Sequence, residues 1–479
     1  MKKLFLFIAT LLAANSVHAQ WAPDVRLTND PFSSNISVSN SHCIAASNDT
    51  LHVVWYDNRD GNFEIYYKRS TDGGATWESD TRMTTNSFLS YDPCIVLSGP
   101  VLHLFWGDSR DGNREIYYKR SLNGGNNWGA DIRLTNAIRA SESPSAAISD
   151  SVIHLTWYDE RDDPSGNWYT EIYYKRSTDL GLTWGPDFRL TEKSAYAGFP
   201  CIAVAGQTVH IVWEDMRNGD YDVYYKRSTD GGLSWGLDTL LTNSLADQSD
   251  PCITVSDSVV YVVWHDSRDG NQEIYYKRSA DGGITWGVDT RLTNNSGYSE
   301  YPTLAVSGSN VHVVWDDNRD ANFEIYYKRS LDGGLTWGAD TRLTNAVNNS
   351  QSAFIALSDS IVNVIWNDKR DGNWEIYYKR NPSGNPITGL ENNLITYTNQ
   401  QISIWPNPAS NIIHLNFTNY SNEKTFLAIR NILGEELLSK QIQSDESVFD
   451  VSCLQNGLYF VELTTVDKHM VSKKLIILK

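Results

Sequence analysis

The sequence predicts an all-β fold, a seven-bladed β-propeller closed by its N-terminal strand and followed by a small C-terminal β-sandwich. Three observations predict it: a repeat of about 51 residues, four strand-like runs inside each repeat, and complementary fragments of a repeat at the two ends of the array. The 479 residues include 17 Trp and 26 Tyr, while 20% are charged, so we expect a globular chain with large aromatic cores.

One tryptophan marks each repeat, and it ends a short apolar run. The spacings between successive markers are 51, 51, 56, 51, 51 and 51 residues for Trp55, Trp106, Trp157, Trp213, Trp264, Trp315 and Trp366. The longer spacing falls in the third repeat, where residues 162–170 form a loop insertion. Seven copies of one unit predict seven blades around an axis.

Each repeat contains four strand-like runs separated by turns. In the first repeat these runs are residues 42–46, 51–56, 64–69 and 76–83, and the segments between them are rich in Asn, Asp, Gly and Ser. The second run is apolar at nearly every position, which indicates a small sheet that is packed on both faces.

The two ends of the array complement each other. Residues 21–29 match the fourth run of later repeats, such as residues 337–345, but no first three runs precede them. The seventh repeat stops after Arg380 and has no fourth run. We therefore expect the N-terminal strand to complete the last blade, which removes the open sheet edge. An open solenoid is the alternative, and it would be expected to carry capping units.

The turn between the third and fourth runs has a specific motif, Ser-x-Asp-x-Gly-x-x-Trp, which begins as Ser70, Asp72, Gly74 and Trp77. The motif resembles the Asp-box, or BNR repeat, of sialidases and many other propellers. Its Asp and Trp recur as Asp179 and Trp184, Asp230 and Trp235, Asp281 and Trp286, and Asp332 and Trp337. The second repeat has Asn123 in place of Asp, and the seventh repeat lacks the motif.

The residue types of this box predict a structural turn. Asp accepts hydrogen bonds from nearby backbone amides, Gly accepts a positive φ, and Trp buries its ring against the sheet. Binding of a metal or another ligand is the alternative. The resemblance covers residues 20–380, and it implies that the boxes lie at the blade periphery, away from any active site.

The loops between the second and third runs carry candidate binding residues. Propeller geometry places these loops and the loops that enter each blade on the face opposite the Asp-boxes. They contain a recurring Asp-x-Arg-Asp pattern, in which Arg can bind a carboxylate bidentately. The pattern predicts either a lock that fixes each turn or a ring of sites for sugar hydroxyls and carboxylates. The candidates are Asp57, Arg59, Asp108, Arg110, Asp159, Arg161, Arg217, Arg268, Arg319 and Arg370.

Residues that differ between the otherwise similar repeats are candidates for ligand recognition. The residue after each marker tryptophan differs between repeats and is Tyr56, Gly107, Tyr158, Glu214, His265, Asp316 or Asn367. The loop tips add the aromatic binding candidates Trp168, Tyr221, Phe323 and Trp374. Aromatic rings on polar loops can stack on sugar faces, and they can equally pack between blades.

Charge and motif content disfavour several function classes. A formal net charge of −18 argues against a nucleic acid partner, because such binding depends on Lys and Arg at phosphates. The sequence has no Gly-rich phosphate loop, Ser/His/Asp order or His/Cys cluster, so we expect no cofactor and no metal. The equivalent or adjacent second-run histidines are expected to pack, and they are His52, His103, His154, His210 and His312.

A hydrolase of the sialidase type is the main alternative to a binding protein. Such an enzyme is expected to carry the motif Phe/Tyr-Arg-Ile-Pro before its first box. The sequence lacks this motif, and the most similar segment is Val25-Arg26-Leu27-Thr28. A glycosidase also needs two carboxyl groups in different environments, whereas most carboxylates here recur in every repeat. The alternative depends on non-repeated residues of the entry loops, which are Asp92, Glu142, Glu192, Asp250, Glu300, Tyr91 and Tyr298.

The N-terminus has the features of a signal peptide. Residues 1–3 carry positive charge, residues 4–14 are apolar, and residues 17–19 form a small-x-small cleavage pattern, so we expect residues 1–19 to be removed. No later apolar run approaches the roughly 18 residues of a transmembrane helix, so no transmembrane segment is expected.

The C-terminal part differs from the repeats. Residues 381–401 are polar and contain Pro and Gly, which predicts a linker, and residues 402–479 alternate like the strands of a small β-sandwich. This segment resembles the type A sorting domain of the type IX (Por) secretion system of Bacteroidota. The matching residues are Trp405, Pro406, Asn407, Pro408, Gly457, Tyr459, Lys473 and Lys474.

The resemblance implies the type IX secretion machinery as a partner, passage through the outer membrane, and either attachment at the cell surface or release. An ordinary carbohydrate-binding or adhesive β-sandwich is the alternative for this segment.

Together these features predict an exported or cell-surface binding propeller without catalytic residues, whose ligands are glycans or surface proteins. The alternative is a sialidase-like exo-glycoside hydrolase with one active site on the propeller face, and a third interpretation is a scaffold without a small ligand. Repetition favours binding, whereas an acid/base pair that converges over the central channel would favour hydrolysis.

Overall fold

The computed structural model describes residues 21–37, 42–163, 166, 169–192, 196–358 and 360–381, and then 402–405, 409–417, 425–431, 436–442, 446–464, 470–477 and 479. These residues form strands and turns without a helix, so none of them belongs to a helix that could cross a membrane. They fall in two compact units, residues 1–389 and 390–479.

The first unit is a seven-bladed β-propeller, which confirms the predicted fold class. The N-terminal strand is β1 (Val25–Arg26), and blade one contains β2 (Ser34–Asn35), β3 (Ile44–Ser47), β4 (Thr50–Asp57), β5 (Glu64–Ser70) and β6 (Thr81–Arg82). Blades two and three contain β7 (Ser90–Ser98), β8 (Val101–Asp108), β9 (Glu115–Ser121), β10 (Ile132–Arg133), β11 (Ser141–Ser149), β12 (Val152–Asp159), β13 (Glu171–Ser177) and β14 (Phe188–Arg189).

The remaining blades repeat this order from the innermost to the outermost strand. Blades four and five contain β15 (Ala197–Ala205), β16 (Thr208–Asp215), β17 (Asp222–Ser228), β18 (Thr239–Leu240), β19 (Gln248–Ser256), β20 (Val259–Asp266), β21 (Glu273–Ser279) and β22 (Thr290–Arg291). Blades six and seven contain β23 (Ser299–Ser307), β24 (Asn310–Asp317), β25 (Glu324–Ser330), β26 (Thr341–Arg342), β27 (Ser350–Ser358), β28 (Ile361–Asp368) and β29 (Glu375–Asn381).

The N-terminal strand closes the ring, as the sequence predicts. β1 pairs antiparallel with β29 and completes the sheet of blade seven, with Val25 opposite Tyr378. Arg370 Nη1 donates to Asp24 Oδ2 at 2.8 Å, and Arg26 Nη2 donates to Glu375 Oε1 at 2.7 Å. The first and last segments of the array are therefore held together by non-covalent contacts within one sheet.

The outermost strands are shorter than the sequence runs suggest. β6 has 2 residues, whereas the predicted run covers residues 76–83. The amide of Thr76 donates to Asp72 at 2.8 Å, so the start of the run belongs to the box turn. Farther along, the Glu78 amide donates to the Arg69 carbonyl at 2.9 Å, and Asp80 lies 2.7 Å from an Arg59 nitrogen and 2.8 Å from Lys68 Nζ.

The marker tryptophans lie in the cores of the blades. All seven have 0% exposed surface, and each indole Nε1 donates to the carboxylate two residues later at 2.8–3.2 Å. The single donor of each buried indole is therefore satisfied, which avoids the free-energy penalty of an unpaired polar group.

The Asp-box turns connect neighbouring blades. The box Trp286 packs edge-on against Tyr225 of the preceding blade, with ring centroids 4.9 Å apart. In blade seven, which lacks the box, Trp21 of the N-terminal segment packs edge-on against Tyr327 at 5.1 Å. A tryptophan therefore crosses every blade boundary, and the N-terminal segment supplies the seventh.

Two pairs of cysteines with equal sequence spacing differ in their surroundings. All four lie buried as thiols in the innermost strands or next to them. Cys201 Sγ and Cys252 Sγ lie 3.8 Å apart, whereas Cys43 Sγ donates to the Pro93 carbonyl at 3.3 Å.

The second unit consists of two antiparallel sheets. Their strands are β30 (Ile402–Trp405), β31 (Ile412–Phe417), β32 (Thr425–Asn431), β33 (Glu436–Ile442), β34 (Glu446–Asp450), β35 (Gly457–Thr464) and β36 (Met470–Ile477). The sheet orders are β30-β31-β34 and β33-β32-β35-β36. Ile413 of the first sheet and Leu427 and Val461 of the second have 0% exposed surface and share one core. This arrangement agrees with the predicted small β-sandwich.

Candidate functional site

The loops after the second strands and the loops entering the next blades lie on one face of the propeller. Asn62, in the loop after β4, donates through Nδ2 to the carbonyl of Asn86 in the loop entering blade two, at 3.2 Å. On the opposite face, the box residue Gly73 donates its amide to the Asp49 carbonyl in the loop between β3 and β4, at 2.7 Å. We call the first of these the loop face.

The first aspartate of each Asp-x-Arg-Asp pattern is a buried acceptor. Asp57 has 0% exposed surface and accepts hydrogen bonds from Ser34 Oγ at 2.6 Å, Trp55 Nε1 at 3.2 Å and the Arg59 amide at 2.9 Å. These bonds and the Arg59 guanidinium lower the pKa of Asp57 despite its burial. The equivalent aspartates of the other blades also have 0% exposed surface, and they are Asp108, Asp159, Asp215, Asp266, Asp317 and Asp368.

The arginine of the pattern joins the loop to the outermost strand. Arg59 donates to Asp57 at 2.5 Å and to Asp80 at 2.7 Å, and its guanidinium lies 4.5 Å above the Tyr66 ring. The same arrangement occurs for Arg110, Arg161, Arg217, Arg268, Arg319 and Arg370. Each of these guanidinium groups therefore donates through Nη1 to an aspartate of its own blade, and a binding role for them stays a prediction.

The aromatic candidates at the loop tips are partly buried where the structure describes them. Tyr221 packs edge-on against Tyr196 with ring centroids 5.8 Å apart, and Lys369 Nζ lies 5.6 Å above the Trp374 ring. Phe323 is partly buried in the loop after β24. Trp168 lies outside the described residues. These contacts place the aromatic candidates in separate blades.

A different set of residues converges near the axis. The variable residue after each marker tryptophan pairs with a residue at the start of the innermost strand, as His265 does with Ser249 and Asp316 with Glu300. Paired residues share one face of a sheet. We define the inner ring as these seven variable residues together with Asn35 and residues 91–92, 142–143, 198–199, 249–250, 300–301 and 351–352.

A β-bulge in each of six innermost strands shapes the inner ring. At each bulge one non-glycine residue has φ between 45° and 58°, and these are Asp92, Ser143, Phe199, Asp250, Tyr301 and Ser352. Non-glycine residues in this region are strained, and such strain concentrates at functional sites. Five of the six precede a proline in the sequence, at positions 93, 144, 200, 251 and 302, which is a signal the sequence analysis did not use.

In blades two and three the inner ring contains Glu142, whose carboxylate is paired with an arginine, and a second acid, Asp92. Arg114 Nη1 and Tyr158 Oη donate to Glu142 Oε2 at 2.7 and 3.0 Å. Arg114 also lies 5.1 Å above the Tyr91 ring. Ser37 Oγ donates to Asp92 at 3.1 Å, and burial, with the nearby Glu142 charge, raises the pKa of Asp92 to about 6.

In blades four to six the inner ring is acidic. Glu214 Oε2 accepts from the Asp250 amide at 3.1 Å, and Asp250 Oδ2 lies 3.3 Å from His265 Nδ1. Burial raises the pKa of Glu214 to about 7 and that of Asp316 well above its ordinary value. The amide of Ser352 donates to Asp316 Oδ2 at 2.7 Å.

The structure therefore assembles several non-repeated entry-loop residues named from the sequence. Asp92, Glu142, Asp250, Glu300 and Tyr91 all lie in the inner ring. The other two, Glu192 and Tyr298, are exposed outside it. Among the described residues, no cluster of three or more His, Cys, Asp or Glu side chains could hold a metal ion.

The sorting-signal residues fall partly within the described second unit. Trp405 ends β30, Gly457 and Tyr459 lie on β35, and Lys473 and Lys474 lie on β36. Tyr459 is buried and donates its hydroxyl to the Gln455 carbonyl at 3.0 Å. Residues 406–408 lie outside the described residues.

A family model described as the secretion system C-terminal sorting domain matches residues 403–478. This match confirms the predicted sorting domain, and the chain is directed by type IX secretion to the cell surface or the medium. The predicted signal peptide at residues 1–19 lies outside the described residues. No curated protein matches the chain.

Solved structures with a similar fold include carbohydrate-active enzymes. Polysaccharide lyase Uly1 has a TM-score of 0.51 at 10% identity, covering 75% of this chain and 99% of the lyase. The phage phi92 endosialidase has a TM-score of 0.46 at 12% identity, covering 95% and 79%. An α-L-arabinofuranosidase from Fusarium graminearum has a TM-score of 0.46 at 13% identity, covering 75% and 97%. At 10% identity the comparison with the lyase shows the fold alone.

Proposed function

We propose that this protein is an exported binding propeller that takes a glycan, free or on a surface protein, in the inner ring of its loop face. The observation that carries the proposal is the convergence of non-repeated polar and aromatic residues on the strained bulges of the innermost strands. Elsewhere on the loop face, the repeated contacts of the Asp-x-Arg-Asp pattern stabilise each blade.

The chemistry of the inner ring suits a polar, hydroxyl-rich ligand. Tyr301 is 36% exposed and Glu300 is partly exposed, so a ring face and a carboxylate are available side by side. Aromatic faces and carboxylates are the groups that contact the apolar faces and hydroxyls of sugars. Among the described residues, the seven loop arginines already donate to aspartates, which disfavours a carboxylate-bearing sugar as the ligand.

The location to which the protein is exported supports a binding role. The sorting domain sends the propeller to the cell surface or the medium, where polysaccharides and glycosylated proteins are encountered. The structural neighbours named above act on carbohydrates according to their descriptions, which agrees with this ligand class without identifying the ligand.

A glycoside hydrolase is the second candidate, because two carboxyl groups of the inner ring have different environments. Burial raises the pKa of Asp92 to about 6, whereas Glu142 accepts hydrogen bonds from Arg114 and Tyr158. An acid with a raised pKa beside a stabilised carboxylate is the arrangement that glycosidic bond cleavage requires.

The test uses the full-length exported protein on a broad glycan array, together with a mixed set of fluorogenic glycosides that includes a sialoside. We expect binding without turnover. Tyr301→Ala should weaken binding about tenfold or more, because a buried aromatic contact contributes about 2 kcal/mol. Phe323→Ala, which removes a ring outside the inner ring, should leave the affinity within about twofold.

Three outcomes would contradict parts of this proposal. Loss of binding in Phe323→Ala but not in Tyr301→Ala would move the site to the loop tips. Turnover that Asp92→Asn abolishes would establish the hydrolase in place of the binding protein. Absence of any glycan bound would overturn the proposal itself.

A further inference from the structure

Four carboxyl groups of the inner ring lie together in blades four to six. We call them the acid sector, and they are Glu214, Asp250, Glu300 and Asp316. Glu214 accepts from the Asp250 amide at 3.1 Å, and Glu300 pairs with Asp316 across β23 and β24. The exposed fractions of Glu214, Asp250 and Asp316 are 4%, 7% and 0%, while Glu300 is partly exposed at the edge of the sector.

Among the described residues, no Lys or Arg side chain is paired with the acid sector. By contrast, Glu142 in blade three is paired with Arg114 at 2.7 Å. Burial lowers the pKa of the neighbouring His265 to about 4, so this imidazole is neutral at pH 7. Burial raises the pKa of Asp250 well above its ordinary value, and the charges of Glu214, Glu300 and Asp316 raise it further.

One carboxylate oxygen in the sector lacks a hydrogen-bond donor. Asp316 Oδ2 accepts from the Ser352 amide at 2.7 Å, but the buried Oδ1 has no partner among the described residues. A buried oxygen without a donor costs free energy, which is recovered when positive charge approaches. This second observation is separate from the grouping of the acids, and it indicates a ligand that supplies a hydrogen-bond donor.

Aromatic side chains border the acid sector. Tyr301 packs against His265 with ring centroids 6.1 Å apart and is 36% exposed. Tyr196 and Tyr221 form a perpendicular pair in the adjoining part of blade four. The Tyr196 hydroxyl would lie 2.3 Å from a Cβ at residue 198, so Gly198 leaves the room that this ring occupies. A sugar ring can contact such aromatic faces while a charged substituent enters the sector.

We propose that the acid sector recognises the ammonium group of an amino sugar, so that the glycan bound in the inner ring carries a free amine. An ammonium group supplies hydrogen-bond donors and a positive charge. Among the described residues, the acid sector has no Lys or Arg partner, and Asp316 Oδ1 has no donor. The partly exposed Glu300 makes the direct contact, and a nearby ammonium group favours ionisation of the buried carboxyl groups behind it. This inference rests on the proposed function and narrows its ligand class.

The test compares two probes that differ in the amine alone. A tetramer of β-1,4-linked glucosamine and its fully N-acetylated counterpart are titrated into the full-length protein by calorimetry at physiological salt and about pH 6, where most of the glucosamine amines are protonated. We expect the glucosamine tetramer to bind at least about tenfold more tightly, because one desolvated charge pair contributes this much or more. Glu300→Gln should abolish that preference.

Asp220→Asn serves as the matched control. Asp220 is exposed at the tip of the loop after β16, so its variant removes one negative charge from the loop face without touching the acid sector. We expect it to keep the amine preference within about twofold, because exposed charges are screened over a Debye length of about 8 Å. Equal losses in both variants would show attraction to the net charge of −18 and would overturn the proposal.

The remaining outcomes separate this inference from the proposed function. Equal or tighter binding of the N-acetylated tetramer, or binding of other array glycans with neither tetramer bound, would overturn the amine inference and leave the glycan-binding proposal standing. Binding of tetralysine without binding of the glucosamine tetramer would assign the sector to a peptide and overturn the inference. If no glycan binds at all, the proposed function fails and this inference fails with it.

Discussion

Two features require glycine at position 283, which are its backbone conformation and the close approach of the neighbouring blade. The φ of Gly283 is +81°, and a Cβ at this position would lie 1.9 Å from the Tyr225 hydroxyl. The adjacent Gly282 has φ +70°, but a Cβ there would meet nothing within 4 Å. A side chain at Gly282 would therefore cost only the free energy of a left-handed backbone, whereas a side chain at Gly283 would also clash with Tyr225.

We expect Gly283→Ala to destabilise the propeller more than Gly282→Ala does. Both substitutions cost about 1 kcal/mol for a non-glycine residue at positive φ. Gly283→Ala adds about 1–3 kcal/mol for overpacking against Tyr225. Calorimetric unfolding of both variants checks this order, and equal shifts in the propeller transition would show that the contact with the neighbouring blade is unimportant.

Single residues also show how far the sequence could predict the candidate site. The Asp-x-Arg-Asp pattern identified Asp57 and Arg59 as partners, and the structure adds that Ser34 and Trp55 saturate the same carboxylate. Ser34 lies on β2, so local spacing could not reveal it, whereas Trp55 lies on β4 only two residues before Asp57. All four residues of the acid sector could be named from the sequence, but the sequence could not show that they lie together, because the contact between Glu214 and Asp250 joins two blades and depends on a bulge that brings the Asp250 amide within 3.1 Å.

Among the elements, β1 has an unusual connection to its blade. Every other outermost strand follows the third strand of its blade through a short box turn, whereas β1 joins β29 from the opposite end of the array. Asp24 beside β1 lies 2.8 Å from Arg370 and 2.8 Å from Lys379. Asp289 beside β22 makes the equivalent contacts with Arg268 and Lys277 at 2.9 and 2.8 Å.

We expect Asp24→Asn to loosen β1 more than Asp289→Asn loosens β22. The two substitutions remove equivalent ion pairs, but β22 is joined to β21 by a short box turn, whereas β1 is separated from β29 by the rest of the array and can leave the sheet more readily. Hydrogen exchange of residues 22–27 checks this, because the amides of Ala22 and Leu27 donate to β29 carbonyls at 2.9 and 2.8 Å. Unchanged protection in Asp24→Asn would show that the backbone pairing suffices without the ion pairs.

For the whole molecule, the repeat made the architecture predictable. Seven markers and two complementary ends predicted seven blades and their closure, because a four-stranded unit cannot bury both faces alone. The predicted lengths of the outermost strands were wrong, since the start of a run such as residues 76–83 belongs to the box turn. Ligand identity does not follow from the repeat, because the inner ring is the part in which the blades differ.

The same repetition concentrates buried histidines in the second strands. In five blades a histidine Nδ1 lies 2.7–2.8 Å from a tyrosine hydroxyl, and burial lowers the pKa of each histidine to about 4. Blade seven has Asn363 at this position, and the Tyr378 hydroxyl donates to its Oδ1 at 2.7 Å. The protein therefore already contains a non-titrating version of the same contact.

We expect His154→Asn to make the propeller less sensitive to acid. The folded pKa of His154 is about 4, below the ordinary 6.5, so the unfolded chain binds more protons between these values and stability falls as pH decreases from about 6.5 towards 4. One such histidine costs about 2 kcal/mol at pH 5 relative to pH 7.5. The raised pKa values of Glu214 and Asp92 act in the opposite direction, since those carboxyls favour the folded state as pH falls.

Calorimetric unfolding at pH 7.5 and pH 5 should show a smaller loss of stability in His154→Asn than in the parent. The reciprocal Asn363→His in blade seven should enlarge that loss by a similar amount, and parallel pH profiles for the parent and both variants would contradict the assignment of acid sensitivity to this ring of histidines.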